Sequence, residues 1–383
     1  MSYVLRWGNR TWLYGAALGL GIGMAVLLLF WSMIGPGAFW NYYSPMLGYY
    51  VLISICQSHY FRRQPVPDMG GLFRQFVSIF GAIVIFFVNQ WIMLTIFAVS
   101  PDAIQPSPFD HGLIVMTGHF SFIVFGFFIY GFDDFMFKGK LVGWMKNDLL
   151  KAVFWYFFIW FFWALIFYGY VGNGFSREKF DPGDMDRFLA ISQWVIIMSL
   201  LYALVFKDWL PDLQKKLGIK NDIAYGIFLL IAAVLIGAVI AYLCYFVLPY
   251  IAPWEESLTF QHRWHRVLYM GTYPLTPAIL LGVYTTNFAG TKSSGMRVLK
   301  RIAVLVPSII LLYFAFHLII AQPWLIPNWI SPGSFKEGIG LFYKGGTNGG
   351  WYDQLDLYFN FTVSIIPLTH HWFCGKWGFL MKA

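Results

Sequence analysis

Apolar residues in this chain gather into ten long segments, at 12–34, 41–58, 74–100, 111–132, 152–172, 187–206, 223–250, 267–289, 302–322 and 355–374. Charges and turn-forming residues collect in the short stretches between them. Each segment reaches or approaches the ~20 apolar residues needed to cross a ~30 Å hydrocarbon core. Only the second is marginal, because Asn41 and Pro45 interrupt its start. The pattern predicts an all-α fold: a polytopic integral membrane protein with about ten transmembrane helices.

The polar positions orient the stack. Threading the chain from an internal N-terminus puts 59–73, 133–151, 207–222 and 290–301 inside and 101–110, 173–186, 251–266 and 323–354 outside. Nineteen of the 26 Lys and Arg residues then fall on the inner side and seven on the outer. Cytoplasmic loops carry such an excess, so both termini are expected in the cytoplasm. Eleven of the 18 acidic residues, among them Asp102, Asp110, Glu255, Glu256 and Asp353, fall outside and add weaker support. The opening MSYVLRWGNR precedes a 23-residue apolar stretch with no small-residue cleavage signal, and is read as leading into an uncleaved first helix.

Residues 1–383 are expected to form a single transmembrane domain with no soluble domain. The longest outer loop, 323–354, combines Pro323, Pro327 and Pro332 with a glycine-rich run at 345–350. That run lacks the lysine and following helix of a phosphate cradle. Trp324, Trp329 and Trp351 predict that the loop folds against the membrane interface. Four of the five even-numbered segments leave the membrane through an aromatic residue followed by a cation, at 59–63, 132–138, 205–209 and 370–377. Five duplicated hairpins would explain this, but so does the ordinary chemistry of a cytoplasmic exit. A division into two inverted halves of five rests on the count alone.

Within the segments, Gly15, Gly19 and Gly23 form two small-xxx-small steps that predict close helix packing. The fifth segment, with Phe154, Trp155, Phe157, Phe158, Phe161 and Trp163, has no polar stripe and is expected to face lipid or a partner subunit.

Composition agrees with the membrane reading. The chain is 59% hydrophobic and 11% charged, with a mean hydropathy of +0.62, against about 25% charged residues in soluble proteins. The net charge of +8 is spread over several short cytoplasmic pieces, so no nucleic-acid partner is expected. The cations read as topology signals and as anchors for anionic headgroups. Cys56, Cys244 and Cys374 lie in or at the ends of apolar segments and form no disulfide or metal motif.

Ionisable and polar groups inside a bilayer are functional candidates because placing them there is unfavourable. His119 sits roughly 12 Å below the outer boundary at 1.5 Å per residue, and His317 at similar depth. His262 and His265 stand at the outer edge of the eighth segment. These four histidines form a candidate metal or haem set. His59, His370 and His371, with Asp133 and Asp134, form a second set at the inner face. Asn89, Gln90, His119, Gln193, Asn287 and His317 are the polar groups a substrate pathway would use, with Asn360 and Thr362 opening the last segment. Pro274, Pro277, Pro307 and Pro367 interrupt helical bonding in the last three segments. The competing reading makes the same groups kinks and interhelical hydrogen bonds.

No Gly-x-Ser-x-Gly, His-Glu-x-x-His or Cys-x-x-Cys-His motif is present. The leading expectation is therefore an inner-membrane permease or carrier of a small solute. The alternatives are a histidine-dependent membrane enzyme or redox subunit holding haem, metal or quinone, and a structural subunit of a larger membrane complex. The first needs only a lipid bilayer; the last requires partner subunits or further copies of the chain. No particular cofactor is identified by the residues.

Overall fold

The computed structural model describes residues 3–5, 48–50, 52–53, 70–95, 137, 143–165, 182–251, 260–284, 293–316, 360, 364 and 380–382. Six of the ten predicted segments become helix there. They are α1 (Gly70–Thr95), α2 (Asp148–Leu165), α3 (Pro182–Leu204), α5 (Asp222–Ile251), the pair α6 (Phe260–Met270) and α7 (Leu275–Tyr284), and α8 (Ser294–Ala315). A short α4 (Leu210–Lys216) joins α3 to α5. The segments at 12–34 and 111–132 lie outside the described residues, as do most of 41–58 and 355–374. Apart from the helices, the described residues contain one antiparallel ribbon, β1 (Tyr3–Leu5) against β2 (Leu380–Lys382), with Val4 opposite Met381. Among the described residues, three helices are long and apolar enough to cross a membrane: Arg187–Leu204 within α3, α5 and α8.

Local signals set the helix ends. Asn147, Asn221 and Ser293 precede α2, α5 and α8, and their side-chain oxygens accept backbone N–H bonds from Leu149, Ile223 and Met296. Gly218 ends α4 at a φ of +68°. Its N–H bonds the Lys215 carbonyl, and that of Ile219 bonds the Gln214 carbonyl. This is the paired closure a left-handed glycine permits.

Among the described residues, long apolar faces of the helices are exposed, and several polar side chains are buried. Along α1, Phe76, Phe80, Phe87 and Trp91 are exposed, while Ser78, Ala82, Phe86 and Asn89 form the buried stripe. On α5 the exposed residues include Ile227, Ile231, Leu235, Val239, Leu243 and Phe246. Water would not tolerate so continuous an apolar face on one helix, whereas lipid requires it. The buried side of α5 carries four small residues, Gly226, Ala233, Gly237 and Ala241, alongside Tyr225, Leu229 and Leu248. A Cβ on residue 237 would stand 2.8 Å from the backbone nitrogen of Val195, so α3 and α5 touch main chain to main chain. α6 packs on α3 and α5, and α7 on α3 and α8.

Four expectations change. The eighth segment is not one continuous helix. Its helix starts at Phe260, stops at Met270 and resumes at Leu275, because Pro274 has no N–H and its ring clashes with the carbonyl of Met270. Pro277 falls in the first turn of α7, where N–H groups have no helical partner in any case. The inner loop 207–222 contains α4, and α8 begins at Ser294, well inside the predicted loop 290–301. Arg297, Lys300 and Arg301 are thus helical, and Arg301 is fully buried. Lastly, α2 does not present all its rings to lipid. Trp155 and Trp160 are buried while Phe157 and Phe161 are exposed.

Candidate functional site: a polar helix break beside Gln193

Residues 271–274 carry the chain from α6 into α7 through a tight turn. The N–H groups of Thr272 and Tyr273 bond the carbonyls of Tyr269 and Met270, and that of Leu275 bonds Thr272. Gly271 allows this turn to lie against α3: a Cβ there would stand 2.7 Å from the Gln193 Cγ. The break therefore adjoins Gln193, about 9 Å from the Arg187 end and about 16 Å from the Leu204 end of that span at 1.5 Å per residue. Gln193 lies within that candidate span, not at its end.

Buried polar side chains gather there. Thr272 and Thr276 stand one turn apart on either side of Pro274, and they meet a second such pair, Asn360 and Ser364. The Asn360 amide donates to the Thr272 hydroxyl at 2.9 Å, and the Thr272 hydroxyl donates to the Tyr269 carbonyl at 2.6 Å. The Thr276 and Ser364 hydroxyls lie 2.8 Å apart. Beside them the Trp194 indole N–H donates to the Val267 carbonyl at 3.1 Å, tying α3 to α6.

Two valences in this cluster are left over. Among the described residues, the Gln193 amide nitrogen and the Asn360 side-chain oxygen are buried without a hydrogen-bond partner. An unsatisfied buried donor or acceptor costs about 1–3 kcal/mol. One side chain thus offers a donor and the other an acceptor, both against the same turn, and none of Gln193, Thr272, Thr276, Asn360 and Ser364 carries charge. Chemically the cluster is suited to a small uncharged group bearing both a donor and an acceptor. On the α7 side, Ile197, Leu200, Leu204, Pro274, Ala278 and Ile279 line an apolar seam too narrow for a water molecule. On the other side of the turn, the Tyr273 ring meets Tyr313 and Phe316 of α8 and its end, with centroids 5.2 and 6.2 Å away.

Of the predicted pathway residues, Asn89, Gln90 and Gln193 lie among the described residues. Gln193 is at the break. Asn89 is buried on α1, but its side-chain oxygen accepts a 2.6 Å bond from the Tyr156 hydroxyl of α2, so it serves as an interhelical tie. Gln90 is the next residue of α1 and only partly buried. His262 and His265 lie on α6. His119, His317 and Asn287 lie outside the described residues, as do His59, Asp133, Asp134, His370 and His371. Among the described residues, no group of three His, Cys, Asp or Glu side chains is placed to hold a metal ion.

Sequence reasoning missed Thr272, Thr276 and Ser364. The signal was present: two polar pairs spaced i, i+4 in otherwise apolar segments, one of them bracketing a proline. It also treated Arg266 and Arg301 as boundary cations, although both are buried. Comparison with protein-family models, with curated proteins and with solved structures gave no match to this chain.

Proposed function

We propose that this chain is a multi-pass carrier of the cell inner membrane for a small, uncharged, hydrogen-bonding solute, and that the helix break beside Gln193 is where the solute binds. The observation that supports this is an unused donor on Gln193 and an unused acceptor on Asn360, each beside the same turn. Discontinuous helices near the midplane are where secondary carriers place their substrates, because interrupted backbone and side chains there can be satisfied by cargo. The redox and structural-subunit readings draw no comparable support from these groups. In the proposed layout the chain crosses the bilayer ten times with both ends in the cytoplasm. The pairing of β1 with β2 supports that layout, since paired strands lie on one side of a membrane, as an even number of crossings between them requires.

The test is solute flux into proteoliposomes holding the full chain, followed by stopped-flow light scattering with glycerol, urea and acetamide. Each probe carries both a donor and an acceptor. At least one should equilibrate faster than in protein-free vesicles. Gln193→Leu should slow that solute about tenfold or more, because one lost hydrogen bond in a dry site is worth about 1–3 kcal/mol, while thermal stability holds or improves. Flux equal to empty vesicles for all three probes, or undiminished in Gln193→Leu, would overturn the proposal.

A further inference from the structure

A second unusual group lies at the opposite end of the same helices. Arg301 of α8 is buried with 0% exposure. Its Nη1 donates to the Val205 carbonyl at 2.9 Å and contacts the Asp208 carboxylate at 2.9 Å. Arg297, one helical turn earlier, reaches the same carboxylate oxygen through Nε at 3.4 Å. The neighbouring carboxylate, Asp212, accepts a hydrogen bond from the Ser294 hydroxyl. One carboxylate is therefore shared by two guanidinium groups, and Lys207 stands directly beside it in sequence.

The remaining donors of Arg301 are what make this a site. Nε and Nη2 are buried and take no hydrogen-bond partner among the described residues. Those two nitrogens form the side edge of the guanidinium, the edge whose parallel N–H bonds grip a carboxylate or phosphate bidentately. Leaving it empty in a fully buried position costs far more than leaving a neutral group unpaired. The Arg297 and Asp208 side chains remain 27% and 28% exposed, so the cluster is open to its surroundings on that side. Burial first, and the Arg301 charge second, push the Lys207 ammonium below its ordinary pKa, with Asp208 opposing them. The local positive charge of Arg301 is thus felt by Lys207.

The geometry points to an oxyanion site in which a phosphate group docks on the free Nε/Nη2 edge of Arg301, with Arg297 and Lys207 completing its neutralisation. The phosphate comes from the headgroup of an anionic lipid or from a free phosphate ion, and both present the same oxygens. This differs from the diffuse attraction of surface lysines to an anionic leaflet, which falls off within a Debye length and is weakened by salt. A buried fork is screened much less.

Three preparations of the full chain test it: nanodiscs of phosphatidylcholine alone, the same discs with inorganic phosphate added against a chloride control of equal ionic strength, and discs containing phosphatidylglycerol. Melting temperature is read in each, and native mass spectrometry reads retained lipid. A rise in melting temperature that survives high salt is expected with phosphatidylglycerol, with phosphate, or with both. A response to phosphatidylglycerol alone assigns the site to lipid; a response to phosphate in zwitterionic discs assigns it to the free ion. Arg301→Gln should abolish the response. Lys207→Gln, which leaves the Asp208–Arg301 pair intact and keeps the helix ends joined, should weaken binding about fivefold, the worth of one cation near a headgroup. Should Arg301→Gln not fold, Lys207→Gln decides. Equal melting temperatures in all three preparations would overturn the inference, as would a response that high salt abolishes or that Lys207→Gln leaves at full strength.

Discussion

Single residues in this protein are read through what surrounds them, because charge and polarity mean different things at a lipid boundary and inside a helix contact. Asn89 illustrates the bland outcome. Its bond with Tyr156 holds α1 to α2, and hydrogen bonds between membrane helices are worth about 0.6–1.7 kcal/mol. A double-mutant cycle of Asn89→Ala and Tyr156→Phe should return a coupling of about 1 kcal/mol in unfolding free energy, with solute flux unaltered; zero coupling would mean the contact is incidental. Lys207 illustrates the other outcome. Burial and Arg301 lower its pKa from the ordinary 10.5, so the unfolded chain holds that proton more tightly than the folded one. Stability then rises with pH between the lowered value and 10.5. In zwitterionic lipid without phosphate, Lys207→Met should be more stable than the parent at neutral pH, and the gap should close as pH climbs through that window. A gap that stays constant would show that the ammonium is not held in an unfavourable place.

At the scale of the element, close approach matters more than apolar content. The α3–α5 contact rests on Gly237, where an added Cβ would lie 2.8 and 2.9 Å from the Val195 backbone nitrogen and Cα, and 3.0 Å from the Trp194 carbonyl carbon. Backbone cannot rotate aside as a side chain would, so the helices must separate. Gly237→Ala should destabilise by about 1–3 kcal/mol. It should also loosen the neighbouring Gln193, lowering flux together with melting temperature. Gly218→Ala is the control. Nothing lies within 4 Å of its added Cβ, so only the backbone strain at a φ of +68° opposes it. That is worth about 1 kcal/mol, felt at the end of α4 and not in the α3–α5 packing. Equal losses of flux in the two variants would argue that Gly237 has no special packing role. The break between α6 and α7 belongs to this scale too: one proline divides an apolar run into two helices and turns Thr272 and Thr276 toward Asn360 and Ser364.

At the scale of the whole molecule, what sets the described residues apart from a water-soluble protein is how much apolar surface they expose. Ring-rich and aliphatic faces of α1, α2, α5 and α8 are exposed, while hydroxyls, amides and two arginines are enclosed. The two proposed sites occupy different depths along α3: the neutral cluster beside Gln193, and the cationic one just past Leu204. The proposed orientation puts the second on the cytoplasmic side. With Cys56, Cys244 and Cys374 replaced, Lys215→Cys should resist an impermeant maleimide added to intact cells and react once the membrane is opened. Labelling from outside would reverse the layout and move the phosphate-binding cluster to the other leaflet.

How much was legible before any coordinates follows from this. Runs such as 223–250 declare immersion in lipid by themselves, because length and apolar content are local properties that no tertiary contact changes. Asn147, Asn221, Ser293, Gly218 and Pro274 likewise mark helix ends from their own chemistry. Which side of a helix is buried was not legible. Trp155 and Phe157 look alike in the chain, yet one is enclosed and the other exposed. Nor do Arg297 and Arg301 differ until α8 is set against the turn after α3. Lipid tails are as apolar as a protein interior, so hydropathy carries no information about which face meets which. Only the close fit of small residues and the meeting of polar partners decide it, and both are properties of the assembled helices.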